Sequence, residues 1–238
     1  MQHINSNQAE RPTDIPEVID FRVPKSWLDH CKKVHGTACN QRDLALRHFN
    51  PMEIVLVDVI EACIATKTTA SRYFALSYVW GNAVTTTTTT KNFASFQKPG
   101  SLEKLLTLPR TVSDAMVLTR KMGVRYLWVD CLSIVQDSPG KHHDIANMDV
   151  IFAQAELTIV AAHGIDANSG LSGVQEGKRR HRVMSKTLGS YTLTLKLPRS
   201  QSDILINTTH NSRGWTLQEV LFSKKIAHCY GSSSRISL

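Results

Sequence analysis

A glutamate near the carboxyl end of the chain has a context that could support catalysis. Glu219 closes the segment Arg213–Glu219 (RGWTLQE), in which a glycine opens a predicted amphipathic helix. Trp215 stands four residues before Glu219, so both side chains share one helical face and the indole could hold a flat ring beside the carboxylate or anchor the helix. A carboxylate placed in this way can stabilise developing positive charge. The alternative is a solvated surface glutamate, the default for a helical Glu.

Three polar clusters follow predicted buried strands. They comprise Ser77, Tyr78 and Gly81; Asp130 with Gln136 and Asp137; and residues 163–166. Ligands of open parallel sheets bind outside the carboxyl ends of the strands, so these clusters are candidate binding positions. For Asp130 the alternative is a turn or helix cap directly after a strand.

Cys31, His35 and Cys39 are each separated by three residues, a pattern that raises the question of a metal site. Structural zinc requires four ligands and commonly uses tighter Cys-x-x-Cys spacing. We therefore predict buried thiols near a surface histidine and no metal. The chain also lacks a P-loop, a Gly-x-Gly-x-x-Gly sequence and a Gly-x-Ser-x-Gly elbow, which argues against ATPases, classical dehydrogenases and esterases; no cofactor is predicted.

Composition indicates an ordinary globular protein. The chain has 238 residues, 42% of them hydrophobic, and 28 basic against 20 acidic residues give a formal charge of +8. These values exclude a fully disordered chain and a disulfide miniprotein. The five cysteines form no Cys-x-x-Cys pair, and no apolar run is long enough for a membrane span or a signal peptide, so a cytoplasmic location is expected. The basic cluster 178–182 carries no nucleic-acid signature, and no nucleic-acid partner is predicted.

Hydrophobic patterning predicts an α/β protein with a parallel sheet. Strands are predicted at 53–59, 73–79, 125–130 and 157–162. Helices are predicted after Ser26, after Thr111 (ended by Gly123), over 142–155 and around 215–222. A β-rich insertion is predicted near 183–207, with a hairpin turn at 188–190. Ser26 and Thr111 are the expected N-caps. The six threonines Thr85–Thr90 are expected to form a loop. Residues 1–23 are predicted to be a flexible polar leader, 24–230 one domain, and 231–238 a disordered tail.

Taken in order, several segments resemble the fungal HET (heterokaryon incompatibility) domain. They are 73–81 (YFALSYVWG), 108–115 (LPRTVSDA), 123–130 (GVRYLWVD), 134–137 (IVQD), 148–155 (MDVIFAQA), 170–171 (GL) and 213–219 (RGWTLQE), preceded by the Trp27–Cys39 lead-in. Each segment alone is weakly specific, whereas the ordered set is highly specific. The resemblance implies a role in fungal non-self recognition as an inducer of regulated cell death.

The HET domain is in turn distantly similar to TIR domains, which implies a flavodoxin-like parallel sheet with flanking helices. Some TIR domains cleave NAD through a glutamate in a Trp-x-x-x-Glu motif, and Trp215 and Glu219 have this spacing. By this analogy Glu219 would be catalytic, with Trp215 beside it. The residues implied to contact the ribose, phosphate or sugar hydroxyls of NAD are Ser77, Tyr78, Gly81, Asp130, Gln136 and Asp137. The alternative is a non-catalytic death-signalling module that acts by self-association or by binding a protein partner.

Overall fold

The computed structural model describes residues 18–35, 50–162, 164–176, 184–188, 191–195, 208–210, 219, 221–229 and 234–237. In chain order its elements are α1 (Arg22–Val34), β1 (Glu53–Asp58), β2 (Cys63–Thr68), β3 (Tyr73–Ser77), α2 (Phe93–Phe96), α3 (Arg110–Lys121), β4 (Tyr126–Trp128), α4 (Asp130–Ser133), α5 (Lys141–Ala146), α6 (Met148–Gln154), β5 (Leu157–Val160), β6 (Met184–Leu188), β7 (Tyr191–Leu195), β8 (Ile226–Cys229) and β9 (Ser234–Ser237). No helix among these residues is both long and apolar enough to cross a membrane.

The main sheet has seven strands in the order β2-β1-β4-β3-β5-β8-β9. Its four central strands, β4, β3, β5 and β8, are parallel, whereas the β1–β2 hairpin and β9 pair antiparallel at the two sides. Numbered along the chain, the parallel strands have the order 2-1-3-4, which is the beginning of the flavodoxin-like order. The predicted α/β fold, with parallel strands near 73–79, 125–130 and 157–162, is therefore confirmed.

Both faces of β3 are covered, as its uninterrupted apolar sequence predicted. Every residue of β3 is buried. Phe74 and Leu76 belong to the core that includes α3, while Tyr73 and Ala75 belong to the core on the opposite face, with Trp128. Side chains alternate along a strand, so Ser77 leaves the end of β3 on the face of Tyr73 and Ala75.

Two predicted helix starts are wrong. Helix α1 begins at Arg22 rather than after Ser26, and Ser26 Oγ donates to the Val23 carbonyl (2.8 Å) from within the first turns. Helix α3 begins at Arg110 after the N-cap residue Pro109, which is in extended conformation, and Asn168 Oδ1 accepts from the Arg110 amide at 3.4 Å. Thr111 is thus inside the helix, where its hydroxyl is free to bond another part of the protein. The helix ends before Gly123, as predicted, where φ is +76°.

The helix predicted over 142–155 is interrupted. It forms α5 and α6, separated at Asn147, whose backbone angles are φ −104° and ψ 15°. Asn147 Nδ2 donates to the His143 carbonyl at 2.8 Å, so the amide side chain satisfies a backbone acceptor at the break. Asparagine competes with helical backbone bonding in this way, which a hydrophobic repeat alone does not reveal.

Some described residues near both predicted chain ends belong to regular elements or contact the domain. The Ile19 amide donates to the Gly173 carbonyl (2.8 Å), and α1 already begins at Arg22, so the end of the predicted leader 1–23 is packed on the domain. Residues 1–17 lie outside the described residues. The tail predicted to be disordered contains β9, which extends the sheet antiparallel to β8.

The predicted β-rich insertion contains a separate hairpin. Strands β6 and β7 pair antiparallel, with Leu188 opposite Tyr191, and residues 189 and 190 between them lie outside the described residues. The remainder of 183–207 and the basic cluster 178–182 lie outside the described residues.

The threonine segment is a loop without helix or strand, as predicted. Thr88 is completely buried, and its amide and hydroxyl donate to the carbonyls of Cys131 (2.9 Å) and Leu132 (2.7 Å). The Gln136 amide donates to the Thr88 carbonyl (2.8 Å). These bonds attach the low-complexity loop to the residues that follow β4.

Candidate functional site

A hydrogen-bonded cluster of Ser77, His210 and Glu219 lies at the end of β3; we call it the Ser77 cluster. Ser77 Oγ donates to Glu219 Oε2 and lies 2.7 Å from His210 Nε2. Ser77 and His210 are 1% and 2% exposed, and Glu219 is half-buried. Residues 133 and 142 positions away from Ser77 in the chain are thus joined at one hydroxyl.

The Ser77 cluster occupies the topological switch point of the sheet. In flavodoxin-like folds this point lies between the first and third parallel strands, here β3 and β5. Ser77 is paired with Val160, and the Ala161 amide donates to the Ser77 carbonyl at 2.9 Å. Chain connections leave the sheet in opposite directions at such a point and open a crevice, which is the usual ligand site of the architecture.

The backbone around Glu219 is attached to β5. Glu219, Leu221 and Phe222 have helical backbone, in agreement with the predicted helix; residues 211–218 lie outside the described residues. Ser223 Oγ hydrogen-bonds the Glu219 carbonyl and Thr158 Oγ1 (2.6 Å). Since Thr158 belongs to β5, these bonds hold Glu219 beside the same strand that flanks Ser77.

Asp130 follows the end of the neighbouring strand β4 at the level of Ser77, because Ala75 is paired with Trp128. Its carboxylate accepts bonds from Trp80 Nε1 (2.7 Å) and from the Cys131 amide (2.7 Å). The second bond comes from the next residue in the chain; Asp130 is the first residue of α4 and Val129 is the N-cap, so the carboxylate acts within the turn after β4 and does not cap the helix. The first bond joins the loop after β3 to the end of β4, so Asp130 also positions Trp80.

Tyr78, directly after Ser77, is buried beside Asp130 and Cys131. Burial raises the pKa of its phenol strongly, and the neighbouring Asp130 and Cys131 act in the same direction. Tyr78 therefore remains a neutral phenol in the physiological range of pH. It can supply a polar hydroxyl to the site but no charge.

Gln136 and Asp137 continue the polar edge after β4. Gln136 Nε2 donates to the carbonyls of Asp130 (3.3 Å) and Ile134 (3.2 Å). The exposed carboxylate of Asp137 accepts bonds from the Thr90 amide (2.7 Å) and hydroxyl (2.8 Å), and these bonds lower the pKa of Asp137. Both residues thus fix the loops that surround the switch point; their predicted substrate contacts stay predictions.

Gly81 is required by the approach of two loops. It has a φ of +59°, and an added Cβ would lie 2.6 Å from Asp166 Cβ and 2.9 Å from the Ile165 carbonyl oxygen. The loops after β3 and β5 touch here, and the Ala167 amide donates to the Trp80 carbonyl at 3.1 Å. Packing alone accounts for a glycine at this position, and its predicted contact with ribose or phosphate stays a prediction.

Other residues in the segments that resemble the HET domain attach the loop after β5 to α3. Asp114 Oδ2 accepts from the Leu171 amide (2.7 Å), Asp114 Oδ1 accepts from Gln175 Nε2 (2.6 Å), and Thr111 Oγ1 accepts from the Gly170 amide (3.0 Å). We call these residues the Asp114 clamp. Thr111 was predicted to cap the helix; in the structure Thr111 and Asp114 instead attach the loop after β5 to α3.

His210 was missed by the sequence analysis. It lies nine residues before Glu219 in a short polar segment, outside every segment of the resemblance. A histidine close in sequence to a candidate catalytic carboxylate is the only signal that could have suggested it. Its burial against Ser77 is a tertiary contact that no local pattern encodes.

Two predicted groups are tested only in part. Cys31 is buried, and its Sγ lies 3.5 Å from His35 Nδ1, whereas Cys39 lies outside the described residues. Among the described residues, no group of three or more candidate ligands could hold a metal ion. The prediction that no metal binds there therefore stays a prediction. Trp215, the predicted neighbour of Glu219, also lies outside the described residues.

Comparison with known proteins identifies the family of the chain. A family model described as "Heterokaryon incompatibility protein (HET)" matches residues 73–219, more than half of the chain. The match begins at the first residue of β3 and ends at Glu219, so it encloses all three residues of the Ser77 cluster. Searches of curated proteins and of solved structures found no match. The chain belongs to the heterokaryon incompatibility (HET) family, whose function is fungal heterokaryon incompatibility and the cell death related to it.

Proposed function

We propose that this HET domain acts in cell death as an NAD glycohydrolase, with Glu219 as its catalytic carboxylate. The observation that carries the proposal is the hydrogen bond from Ser77 to Glu219 at the switch point between β3 and β5. Doubly wound sheets bind nucleotides at this position. A half-buried carboxylate held there has the charge that cleavage of a glycosidic bond needs.

The reaction breaks the bond between the nicotinamide nitrogen and the anomeric carbon of the ribose. The bonding electron pair leaves with nicotinamide, whose ring nitrogen becomes neutral, and positive charge develops on the ribose. A carboxylate beside the anomeric carbon stabilises this oxocarbenium-like transition state. The oxygen of a water molecule then bonds to the anomeric carbon and releases a proton, which gives ADP-ribose.

Neighbouring polar groups support substrate binding at the same edge. Tyr78 and Asp130 follow the adjacent strands β3 and β4, and an ionised carboxylate is an acceptor that suits the hydroxyls of a sugar. Asp130 is therefore proposed to accept a sugar hydroxyl, with Asp137 as the other acidic candidate. Tyr78 is proposed to donate to ribose or phosphate.

Nicotinamide release from NAD by the purified protein tests the proposal. The wild-type protein is expected to release nicotinamide, and Glu219→Gln is expected to lower the rate about 100-fold or more, because the amide keeps the shape and removes the charge. The same substitution should abolish growth arrest when the protein is overexpressed in a fungal host.

Glu156→Gln is the matched control, because Glu156 bonds Arg72 and Lys32 away from the Ser77 cluster. It should retain NAD cleavage. A folded Glu219→Gln protein that cleaves NAD and arrests growth like wild type would contradict the proposal. Growth arrest without any NAD cleavage by the wild type would instead favour the non-catalytic death-signalling module.

A further inference from the structure

The hydrogen bonds of Ser77 have a defined direction. A serine hydroxyl has one proton, and here it is donated to Glu219 Oε2. Towards His210, Ser77 Oγ can then act only as an acceptor. His210 Nε2, 2.7 Å away, must therefore carry the proton of that bond.

Because Ser77 and His210 are buried, the direction of the hydrogen bond between them affects Glu219. Ser77 and His210 are almost completely inaccessible, so water cannot replace either partner. If His210 Nε2 lost its proton, it would accept a bond, and the Ser77 hydroxyl would be drawn towards it. Glu219 Oε2 would then lose its hydrogen bond from Ser77. The proton on His210 Nε2 decides which of the two arrangements forms.

We propose that His210 is a positioning residue for Glu219 that acts through Ser77. By donating from Nε2, His210 keeps the Ser77 hydroxyl directed at the Glu219 carboxylate. The carboxylate therefore remains the acceptor of the Ser77 proton and is held in one orientation. The catalytic part of this inference rests on the proposed function, whereas the direction of the hydrogen bonds does not. His210 itself touches no reacting atom in this assignment.

Kinetics of four variants test the positioning role. His210→Ala is expected to lower kcat for nicotinamide release about 10- to 100-fold with little change in KM, since misplacement of the carboxylate affects the transition state more than binding. His210→Gln should recover much of the loss, because its amide can donate to Ser77. Ser77→Ala should match His210→Ala, and the double variant should be no slower than Ser77→Ala, since His210 acts through the hydroxyl.

Two kinetic results would overturn the assignment. One is wild-type kcat in a folded His210→Ala protein. The other is a double variant in which the two losses multiply, since independent effects would mean that His210 does not act through Ser77. Thermal unfolding of each variant identifies any protein that fails to fold. If His210→Ala does not fold, the kcat values of His210→Gln and Ser77→Ala decide whether His210 positions Glu219.

Nitrogen NMR of the histidine-labelled wild-type protein gives a readout that needs no NAD cleavage. We expect His210 Nε2 to be protonated and its resonance to shift in Ser77→Ala; an unprotonated Nε2 in the wild type would refute the proposal. His228, the other buried histidine among the described residues, provides the control, since His228→Gln should leave the His210 signal in place. If the wild type released no nicotinamide, the proposed function would fail, while the spectrum would still decide the role of His210.

Discussion

Asp114 and Glu219 are carboxylates that both lie in segments resembling the HET domain, but the groups that donate hydrogen bonds to them differ. Asp114 is 1% exposed and bonds the Leu171 amide and the Gln175 side chain. Glu219 is half-buried and bonds the hydroxyl of Ser77. The first set of donors attaches a loop to a helix, whereas the second orients a carboxylate at the edge of the sheet where this architecture usually binds its ligands. Neighbours and location, rather than residue type, separate a carboxylate that holds a loop from the one that we propose to be catalytic.

Neutralising each carboxylate should give opposite results, and this is the largest expected effect. Glu219→Gln should lower NAD cleavage about 100-fold or more with little loss of stability. Asp114→Asn should leave the activity of folded molecules intact but lower the free energy of unfolding by about 2–3 kcal/mol, because the amide keeps one acceptor oxygen and its NH2 group faces the donor of either Leu171 or Gln175. Urea unfolding and nicotinamide release, measured on both variants, provide the test. A stable Asp114→Asn protein that does not cleave NAD would contradict this distinction between Asp114 and Glu219.

Gly170 tests how closely the Asp114 clamp is packed. It has a φ of +73°, and an added Cβ would lie 2.7 Å from Asp114 Oδ2. Gly170→Ala should therefore lower the free energy of unfolding by about 2 kcal/mol or more, from backbone strain together with the contact. Gly100 is the matched control, since its φ is +74° and nothing lies within 4 Å of its added Cβ. An equal loss in Gly100→Ala, measured by thermal unfolding, would show that the clamp contact adds nothing.

Thr111 contributes one hydrogen bond to the clamp. Thr111→Val keeps the shape and removes the acceptor of the Gly170 amide, which should cost about 1 kcal/mol in urea unfolding. Thr119→Val is the comparison, because the Thr119 hydroxyl donates to the Ala115 carbonyl within the same helix and its loss leaves no amide without a partner. A larger loss for Thr119→Val than for Thr111→Val would contradict this assignment.

Glu156 extends the comparison to a carboxylate held by cations. Burial raises its pKa, but the bonds from Arg72 and Lys32 outweigh burial, so the pKa lies below the ordinary value of 4.5. A depressed carboxyl pKa contributes stability that is present above the ordinary value and is lost as the pH falls through the lowered one. Glu156→Gln should thus cost about 1 kcal/mol at pH 7 and progressively less in acid. Urea unfolding at neutral and acidic pH checks this; a constant difference between the two proteins would refute the ion-pair origin.

The central architecture could be predicted because its signals are local. Strands covered on both faces are continuously apolar, as in β3, and helices that pack on one side repeat their apolar residues every three or four positions. The errors occurred where a polar side chain had two available partners. Thr111 was predicted to cap a helix and instead bonds Gly170, and Asn147 interrupts a repeat that looked continuous.

The candidate site likewise has residues that could be predicted from the sequence and contacts that could not. Ser77 and Glu219 could be proposed from the sequence, one at the end of a predicted strand and the other four residues after a tryptophan on a predicted helix. The bond between them could not, because residues so distant in the chain meet only when β3 and β5 pair and the segment after 207 returns to that edge. His210 has no local signature at all, since its neighbours in sequence are polar and its partner is a buried hydroxyl.

The sequence by itself determined the family, the α/β class and the order of the elements, because recurring segments and hydrophobic periods are properties of neighbouring residues. Tertiary structure alone decided which polar groups face each other: Asp114 meets backbone donors, while Glu219 meets Ser77 and, through it, His210. Hydrogen bonds are short and directional, so their partners depend on distances of a few tenths of an ångström between distant parts of the chain. Periodicity carries no information of that kind.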